Sequence, residues 1–241
     1  MTRVLILGGT AEGTQLAGAI SVRTDLEPIY SLAGVTRSPN LPDCQVRTGG
    51  FGGIKGLADY LRAEKIDKLI DATHPYAARM AAHAAKACGQ EKISRIKLLR
   101  PAWMPMPGDD WRAVSDATEA AELLPDLTDR VFLATGRKDL AVFATLTNIW
   151  FLVRLVDAPT EDLPLANHQL VLGRGPFNLD DEKELFRQHR IGAVVSKNSG
   201  GGAYAKIEAA RELGMPVVMI DRPQAPKGTI VETTDAVMNW L

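Results

Sequence analysis

The sequence contains two similar halves in tandem, and this duplication constrains the fold more than any other feature. Residues 4–9 (VLILGG) return as residues 131–136 (VFLATG), each an apolar run that ends on glycine. Residues 66–101 return as residues 191–223, at nearly the same distance from the first motif. Each half has the size of an ordinary domain. We therefore expect two domains of one architecture, at residues 1–126 and 127–241.

Both halves alternate short apolar runs with helix-length segments, which is typical of βαβ units and parallel sheets. The fold class predicted is α/β, with two tandem Rossmann-like domains, mainly parallel sheets and an interdomain cleft. The predicted strands are residues 4–7, 29–32, 45–47, 69–71 and 96–99 in the first half and 131–134, 151–155, 170–172, 193–196 and 217–220 in the second. Residues 111–124 are expected to finish the first domain, as residues 229–241 finish the second.

Composition narrows the class of partner. The formal net charge is −1 and the basic residues are scattered, so neither nucleic acid nor an anionic membrane surface is an expected partner. The first strand begins after three residues, which leaves no room for a signal peptide, and we expect a cytoplasmic protein, monomeric or weakly homo-oligomeric. Cys44 and Cys88 are far apart and lack metal-ligand spacing, so buried thiols are expected and no metal site.

The turn after the first strand is the first candidate site. Residues 8–13 (GGTAEG) keep the first and last glycines of a dinucleotide fingerprint, with Thr10 at the position of the middle glycine. Such a turn offers a close backbone approach and the amides of a helix start, which favour a pyrophosphate. Gly9, Thr10, Ala11 and Glu12 are therefore predicted to bind a cofactor, the alternative being a glycine-rich turn without a ligand.

The end of the second strand predicts which dinucleotide is bound. Enzymes that select NAD usually carry an acidic side chain there, which binds the ribose hydroxyl. Here the strand ends Ser31-Leu32-Ala33-Gly34, and Thr36 and Arg37 follow, with no carboxylate in this stretch. A hydroxyl and a guanidinium suit the additional phosphate of NADPH, so Ser31, Thr36 and Arg37 are predicted to lie at the cofactor.

Two further loops of the first half carry chemistry. Residues 48–53 (TGGFGG) are so rich in glycine that we expect their backbone to approach a cofactor or a flat substrate. Gly50 is placed at the cofactor and Phe51 at the substrate, and a mobile lid is the alternative. After the fourth strand, Thr73, His74 and Tyr76 surround a predicted helix start, with Thr73 or His74 as its cap and an alanine-rich helix over residues 77–87. Thr73 and His74 are expected at the cofactor, unless His74 is only a structural cap.

The second half places cations after its strands. These residues, with their polar neighbours, are predicted to bind an anionic substrate: Arg137, Lys138, Arg154, Arg174, Lys197, Asn198, Ser199 and Arg222. A near-neutral protein that concentrates cations in one place favours a polyanionic ligand. The alternative is that half of these cations pair with local acids. No P-loop, lipase elbow or zinc motif occurs, so any catalysis belongs to the cofactor.

Several of these motifs together resemble the precorrin-6A reductase family of the cobalamin pathway. They are GGTAEG, SLAG, GGFGG, DATHPYA, LLRPAW, TGRKDL, GPF and VSKNSGG, in that order along nearly the whole chain. The resemblance implies an NADPH-dependent enzyme of the cytoplasm that reduces one double bond of precorrin-6A to give precorrin-6B. The substrate is then a small-molecule tetrapyrrole with acetate and propionate side chains, which suits the predicted cations.

The resemblance also implies a division of roles. NADPH would lie along the first domain with its nicotinamide near residues 74–76, and the second domain would hold the macrocycle. A proton must be added beside the reduced carbon, and His74, Tyr76, Lys197, Tyr204 or solvent could supply it. The family's common arginine after SLAG is Val35 here. Reduction of the cobalt-containing analogue and a non-catalytic protein that binds NADP or a tetrapyrrole are the alternatives.

Overall fold

The computed structural model describes residues 1–34 and 41–241, which form two compact units. Unit 1 comprises Met1–Pro101 and Pro223–Leu241, and unit 2 comprises Ala102–Arg222. The strands are β1 (Thr2–Leu7), β2 (Leu26–Leu32), β3 (Gln45–Thr48), β4 (Lys68–Asp71), β5 (Ser94–Leu98), β6 (Trp111–Val114), β7 (Arg130–Ala134), β8 (Trp150–Leu155), β9 (His168–Leu172), β10 (Ala193–Lys197), β11 (Val217–Ile220) and β12 (Thr229–Val231).

Helices occupy most of the crossover segments between these strands. They are α1 (Ala11–Ser21), α2 (Gly53–Ala63), α3 (Ala78–Glu91), α4 (Ala117–Leu123), α5 (Leu179–Gln188), α6 (Ala205–Glu212) and α7 (Thr234–Trp240). Two 3-10 segments, Leu124–Asp126 and Arg137–Thr145, lie in the second half of the chain. None of the helices in the described ranges is long and apolar enough to cross a membrane.

Each unit contains one six-stranded sheet in which every pair of neighbours is parallel. The order is β12-β5-β4-β1-β2-β3 in unit 1 and β6-β11-β10-β7-β8-β9 in unit 2. Both match the strand order of a doubly wound nucleotide-binding fold. The predicted α/β class is therefore confirmed, and all ten predicted strands are present.

Side-chain alternation along β1 explains why helices cover both faces of the first sheet. Val4 and Ile6 pack into the core that contains Leu16 and Ile20 of α1, whereas Leu5 and Leu7 pack into a second core with residues of α2 and α3. A strand whose side chains are buried on both faces is continuously apolar, as parallel strands usually are. The loops at the ends of the strands are then left to carry the polar chemistry.

The predicted domain boundary at residues 126 and 127 is wrong, because the outermost strands are exchanged. β12 pairs with β5, and α7 packs against α1 and β5, so the last part of the chain completes unit 1. β6 pairs with β11, and α4 packs against β11, so residues of the first repeat complete unit 2. The two segments occupy equivalent positions in the repeat, and the apolar pattern does not specify which sheet an edge strand joins.

One helix prediction also needs correction. α3 begins at Ala78 rather than near Pro75, because residues 74–77 form a turn, and it continues past Gly89 to Glu91. No α-helix follows β7, where the chain forms the 3-10 segment Arg137–Thr145 instead.

Of the two thiols, Cys88 is buried and Cys44 is partly exposed. Burial raises the pKa of Cys88 to about 12, which makes that thiol unreactive.

The turn between β1 and α1 is built on a buried tyrosine. Tyr30 of β2 is fully buried, and its ring lies directly beneath Gly8. A Cβ atom at Gly8 would lie 2.2 Å from the Cζ atom of that ring. The Tyr30 hydroxyl accepts a hydrogen bond from the Gly9 amide at 3.3 Å and shares one with Thr14 Oγ1 at 3.0 Å. Glycine at position 8 is thus required by packing.

We predict that Gly8→Ala destabilises the protein by about 1–3 kcal/mol, because a methyl group must displace a fully buried ring. Gly18→Ala in α1 is the matched control, since no atom lies within 4 Å of the added Cβ. The control is expected to stabilise by about 0.5–1 kcal/mol, the usual gain for alanine over glycine inside a helix. Urea denaturation measures both, and equal stability of the two variants would contradict the packing account.

Candidate functional site

The start of α1 has the features that a dinucleotide pyrophosphate requires. Thr10 is the N-cap, and its Oγ1 accepts a hydrogen bond from the Gly13 amide at 3.1 Å. Gly9 has φ of +115°, and no atom lies within 4 Å of a Cβ built there, so the backbone borders open space. The amides of the first helical turn and the helix dipole favour an anion at this point. Gly9, Thr10, Ala11 and Glu12 all lie in this turn.

An arginine to which the sequence pattern gave no role also lies at the start of α1. Arg100 follows β5, and its Nη1 atom donates to both carboxylate oxygens of Glu12, at 2.8 and 3.1 Å. A carboxylate in the first helical turn would otherwise repel a phosphate. The pairing with Arg100 offsets that charge. A small cavity has residues of three loops in its lining, namely Thr10, Glu12, Thr73, Pro75, Leu98, Leu99 and Arg100.

The loop after β4 is held by a buried ion pair. Lys97 Nζ donates to Asp71 Oδ2 at 3.0 Å, and both side chains are almost completely buried. The other oxygen, Asp71 Oδ1, accepts from the Thr73 amide at 3.1 Å and from Thr73 Oγ1 at 2.6 Å. Thr73 therefore does not cap α3, as the sequence had suggested. Its hydroxyl is fixed by Asp71 at the edge of the sheet where the strands end.

His74 and Tyr76 follow in the same loop, with ring centroids 5.7 Å apart. The Tyr76 amide donates to His74 Nδ1 at 3.3 Å. An imidazole nitrogen that accepts a hydrogen bond carries no proton, so the neutral ring has its proton on Nε2. That tautomer is the one from which His74 could act as a donor at Nε2.

Arg47 connects the end of β2 with the glycine-rich loop. Its Nη1 atom donates to Ser31 Oγ at 2.9 Å and to the Gly49 carbonyl at 2.9 Å, and Nη2 donates to the Gly50 carbonyl at 3.2 Å. The guanidinium lies 3.9 Å from the centroid of the Phe51 ring. The structure thus brings the predicted residues Ser31, Gly50 and Phe51 around one cation. Phe51 packs against Arg47 and Tyr60 within unit 1, and its contact with the substrate stays a prediction.

Arg47 forms no ion pair within the described ranges, and residues 35–40 contain no acidic residue. Thr36 and Arg37, the other residues predicted to select NADPH, lie outside the described residues. Within unit 1, Arg47 is therefore a cation with uncompensated charge beside Ser31, where the second strand ends. The sequence pattern did not reveal it, because it lies on β3 rather than in the loop after β2.

The corresponding turn of unit 2 has different properties. Gly136 precedes the 3-10 segment Arg137–Thr145, and Gly136 has no side chain that could act as a cap. Arg137 and Lys138 are exposed at its start. Lys197, at the end of β10, pairs with Asp139 of this segment at 2.5 Å. Unit 2 therefore offers exposed cations at this edge, and unit 1 offers the amides of an α-helix.

The loop after β10 is fixed by backbone contacts. Asn198 Oδ1 accepts from the Trp103 amide at 2.8 Å, and Asn198 Nδ2 donates to the Trp103 carbonyl at 3.0 Å. Arg222 Nε donates to the Asn198 carbonyl at 2.6 Å. The Ser199 amide donates to the Lys197 carbonyl at 2.7 Å. These contacts give Asn198 and Arg222 a structural role, and their contact with substrate stays a prediction.

The remaining predicted residues of unit 2 are divided between the surface and the interior. Arg174 is exposed after β9. Arg154 is largely buried and pairs with Glu182 at 2.6 Å, so its charge is balanced inside the unit. The Tyr204 ring packs at 5.7 Å from Trp103, and its hydroxyl accepts from Arg211 at 3.3 Å. The interpretation that some of these cations pair with local acids thus holds for Arg154 and Lys197.

The chain is similar to known proteins over its whole length. A sequence profile described as Precorrin-6x reductase CbiJ/CobK matches residues 3–241. The chain belongs to this family. A relative named precorrin-6A reductase, from Rhodococcus erythropolis, is 49% identical over 238 residues, covering 98% of this chain and 95% of the relative. A solved structure named CobK precorrin-6A reductase has a TM-score of 0.93 at 44% identity and covers 100% of this chain and 96% of that one.

A second group of relatives carries a different name. One from Priestia megaterium, named cobalt-precorrin-6A reductase, is 29% identical over 250 residues, with 99% of this chain and 97% of that relative covered. As a member of the precorrin-6x reductase family, the chain is an oxidoreductase. In residues 1–34 and 41–241 no group of three His, Cys, Asp or Glu side chains could hold a metal ion.

The structure reveals several supporting residues to which the sequence motifs gave no role. Tyr30, Arg47, Arg100, Asp71 and Lys97 all support the candidate cofactor edge of unit 1. One signal was available for Arg100, because Arg100-Pro101 recurs as Arg222-Pro223 in the repeat. The others depend on which strands become neighbours. Asp71 and Lys97, for example, are paired residues of adjacent strands but lie far apart in the sequence.

We predict that Lys97→Met costs about 3–5 kcal/mol, because it leaves the Asp71 carboxylate buried without its cation. The double variant Asp71→Asn/Lys97→Met should recover most of that loss, since no charge remains and the amide oxygen still accepts from Thr73. Lys55→Met is the matched control, as this side chain is 90% exposed, and it should change stability by less than about 0.5 kcal/mol. Equal losses in the single and double variants would show that the buried charge is not the cause.

Proposed function

We propose that this protein uses NADPH to reduce one double bond of precorrin-6A, giving precorrin-6B. The observation that carries the proposal is the end-to-end similarity, at 49% identity, to a relative named precorrin-6A reductase. The lower identity, 29%, to a relative named for the cobalt-containing substrate favours the metal-free macrocycle. Reduction of the cobalt analogue remains a second candidate because the two groups share the whole length of the chain.

In the proposed enzyme, unit 1 binds the dinucleotide. The amides at the start of α1 would hold the pyrophosphate, with Gly9 allowing its close approach and Arg100 offsetting the charge of Glu12. Arg47 and Ser31 would hold the 2′-phosphate. When bound, NADPH supplies the hydride. The residues of the loop after β4, fixed by Asp71 and Lys97, would orient the nicotinamide and exclude water from it.

Unit 2 is proposed to bind the macrocycle through its carboxylate side chains. Arg137 and Lys138 are exposed at the start of their 3-10 segment and suit charge-assisted hydrogen bonds to carboxylates. A proton is also required at the carbon next to the one that is reduced. His74 is one proposed donor, because its Nδ1 accepts the Tyr76 amide and its neutral ring therefore carries the proton on Nε2. Tyr76, Lys197 and Tyr204 remain further candidates.

The test is turnover with purified protein. We expect the absorbance of NADPH to fall only when precorrin-6A is present, and the product to gain two hydrogens by mass spectrometry. Parallel reactions with cobalt-precorrin-6A and with NADH give the substrate and cofactor preferences. Binding of NADPH and macrocycle without oxidation of NADPH would reject the enzyme and support a non-catalytic binding protein.

A second prediction concerns the 2′-phosphate. Arg47→Ala should raise the Kd of NADPH by roughly 10- to 100-fold, the loss expected for a hydrogen bond to a charged group. The Kd of NADH should change much less, since NADH has no phosphate there. Arg37→Ala is expected to act in the same direction, and Lys55→Ala, at an exposed lysine, is the control. Titration with each nucleotide measures these constants, and equal effects on NADPH and NADH would refute the assignment.

A further inference from the structure

Three charged side chains are buried together at one edge of unit 2. Arg154 of β8 donates from Nη1 to Glu182 Oε1 of α5 at 2.6 Å, and these side chains are 10% and 1% exposed. Lys206 of α6 is 9% exposed, and its Nζ donates to the Ala203 carbonyl at 2.6 Å. Burial of charged groups is costly unless their charge is balanced nearby. This group therefore needs an explanation.

The charges in this group do not cancel. Arg154 and Glu182 neutralise each other, whereas Lys206 forms no ion pair with any residue of the described ranges. Its ammonium lies 4.7 Å from the centroid of the Trp103 ring, which offsets part of the charge. Burial lowers the pKa of Lys206 to about 8, in spite of the nearby Glu182 carboxylate. One positive charge is thus left over.

A cavity of about 60 Å³ adjoins this group. Its lining is Ala134, Arg154, Phe177, Glu182, Ala203, Ala205 and Lys206. Two buried atoms of the lining residues, Arg154 Nε and Glu182 Oε2, have no hydrogen-bond partner in the part of the chain that the structure describes. A water molecule in liquid occupies about 30 Å³, so the space is large enough for a carboxylate group.

The side chains around the cavity are held in place by packing. The Arg154 guanidinium lies 3.9 Å from the Phe177 ring centroid and 4.8 Å from that of Phe132. Ala134 is the last residue of β7, so the cavity lies at the edge where the strands of this sheet end. Substrates of doubly wound sheets bind at that edge. The cavity thus lies where a ligand is expected, beside an arginine that packs against two aromatic rings.

We propose that this cavity binds a single carboxylate side chain of the tetrapyrrole substrate, with Lys206 as its principal cation. This inference rests on the proposed function. The carboxylate accepts from Lys206 beside the Arg154 guanidinium, and it brings the net charge of the group from one positive to zero. Glu182 limits that net charge to one, so the site favours a monoanion over a dianion such as phosphate. The three N–H bonds of Lys206 allow it to serve the ligand while it retains Ala203.

The first test compares three variants by their Kd for precorrin-6A, measured without NADPH. Lys206→Met should raise the Kd about tenfold or more, because it removes the cation. Glu182→Gln should lower the Kd severalfold, since the net charge rises while the amide oxygen still accepts from Arg154. Lys183→Met is the control, at the residue that follows Glu182 on α5. The Lys183 ammonium pairs with Asp180 and Glu212, so the Kd of this variant should equal that of wild type.

The Kd is expected to rise in Lys206→Met and to fall in Glu182→Gln, and these opposite changes distinguish ligand binding from a structural role. If these residues only stabilise unit 2, Lys206→Met and Glu182→Gln weaken precorrin-6A binding together, and that result overturns the proposal. An unchanged Kd in Lys206→Met overturns it as well. Thermal denaturation verifies that each variant is folded.

The second test uses acetate as the probe and does not depend on reduction. Carbon-13 NMR of labelled acetate should show binding to wild type, tighter binding to Glu182→Gln and none to Lys206→Met, with acetamide failing to compete. If acetate binds in this pattern but precorrin-6A is not reduced, the result supports the carboxylate site and rejects the proposed function. If precorrin-6A is reduced but acetate binds Lys206→Met as it binds wild type, the carboxylate site is rejected. Should Lys206→Met fail to fold, Glu182→Gln alone decides, because weaker acetate binding there contradicts the proposal.

Discussion

The backbone amides at the start of α1 are the feature on which the rest of the candidate site depends. Two units of the same strand order place a glycine-containing turn after their first strand, yet only in unit 1 does an α-helix begin there. The Thr10 cap, the left-handed Gly9 and the Tyr30 hydroxyl fix this turn before any ligand arrives. In unit 2 the chain continues as a 3-10 segment, which has poorer hydrogen-bond geometry and lacks the aligned dipole of an α-helix. This difference is the reason for proposing that the dinucleotide binds unit 1.

Each unit has a buried ion pair near the edge of its sheet where the strands end. The Asp71 and Lys97 pair in unit 1 leaves one carboxylate oxygen to hold Thr73, so its balanced charge positions a loop. The pair of Arg154 and Glu182 in unit 2 is accompanied by Lys206, so its unbalanced charge suits a ligand. A buried ion pair therefore positions a loop in unit 1 and forms part of the proposed ligand site in unit 2. The two cases differ in whether a third buried charge is present.

Much of the fold could be predicted from the sequence, because buried parallel strands are continuous apolar runs and the repeat doubles each signal. The exchange of β6 and β12 could not be predicted. An edge strand makes hydrogen bonds to one neighbour only, and either sheet satisfies the pattern of residues 111–114 equally well. The start of α3 was also misplaced, since Asp71 binds the Thr73 hydroxyl that was expected to cap the helix.

The candidate site was predictable in its turns and less so in its cations. Gly9 and Thr10 lie next to each other in the sequence, so local spacing suffices to identify them. Arg47 and Lys206 act through neighbours that only the folded sheet supplies, namely Ser31 of β2 and Glu182 of α5. Whether an arginine such as Arg154 faces a ligand or an internal acid depends on tertiary contacts. A sequence pattern does not contain that information.

The most direct measurement is a crystal structure of the protein with bound NADP. We predict that the pyrophosphate lies against the amides at the start of α1, beside Gly9 and Thr10, with the adenosine end toward Ser31 and Arg47. A dinucleotide bound instead at Thr135 and Gly136 of unit 2, with the turn of unit 1 empty, would contradict it.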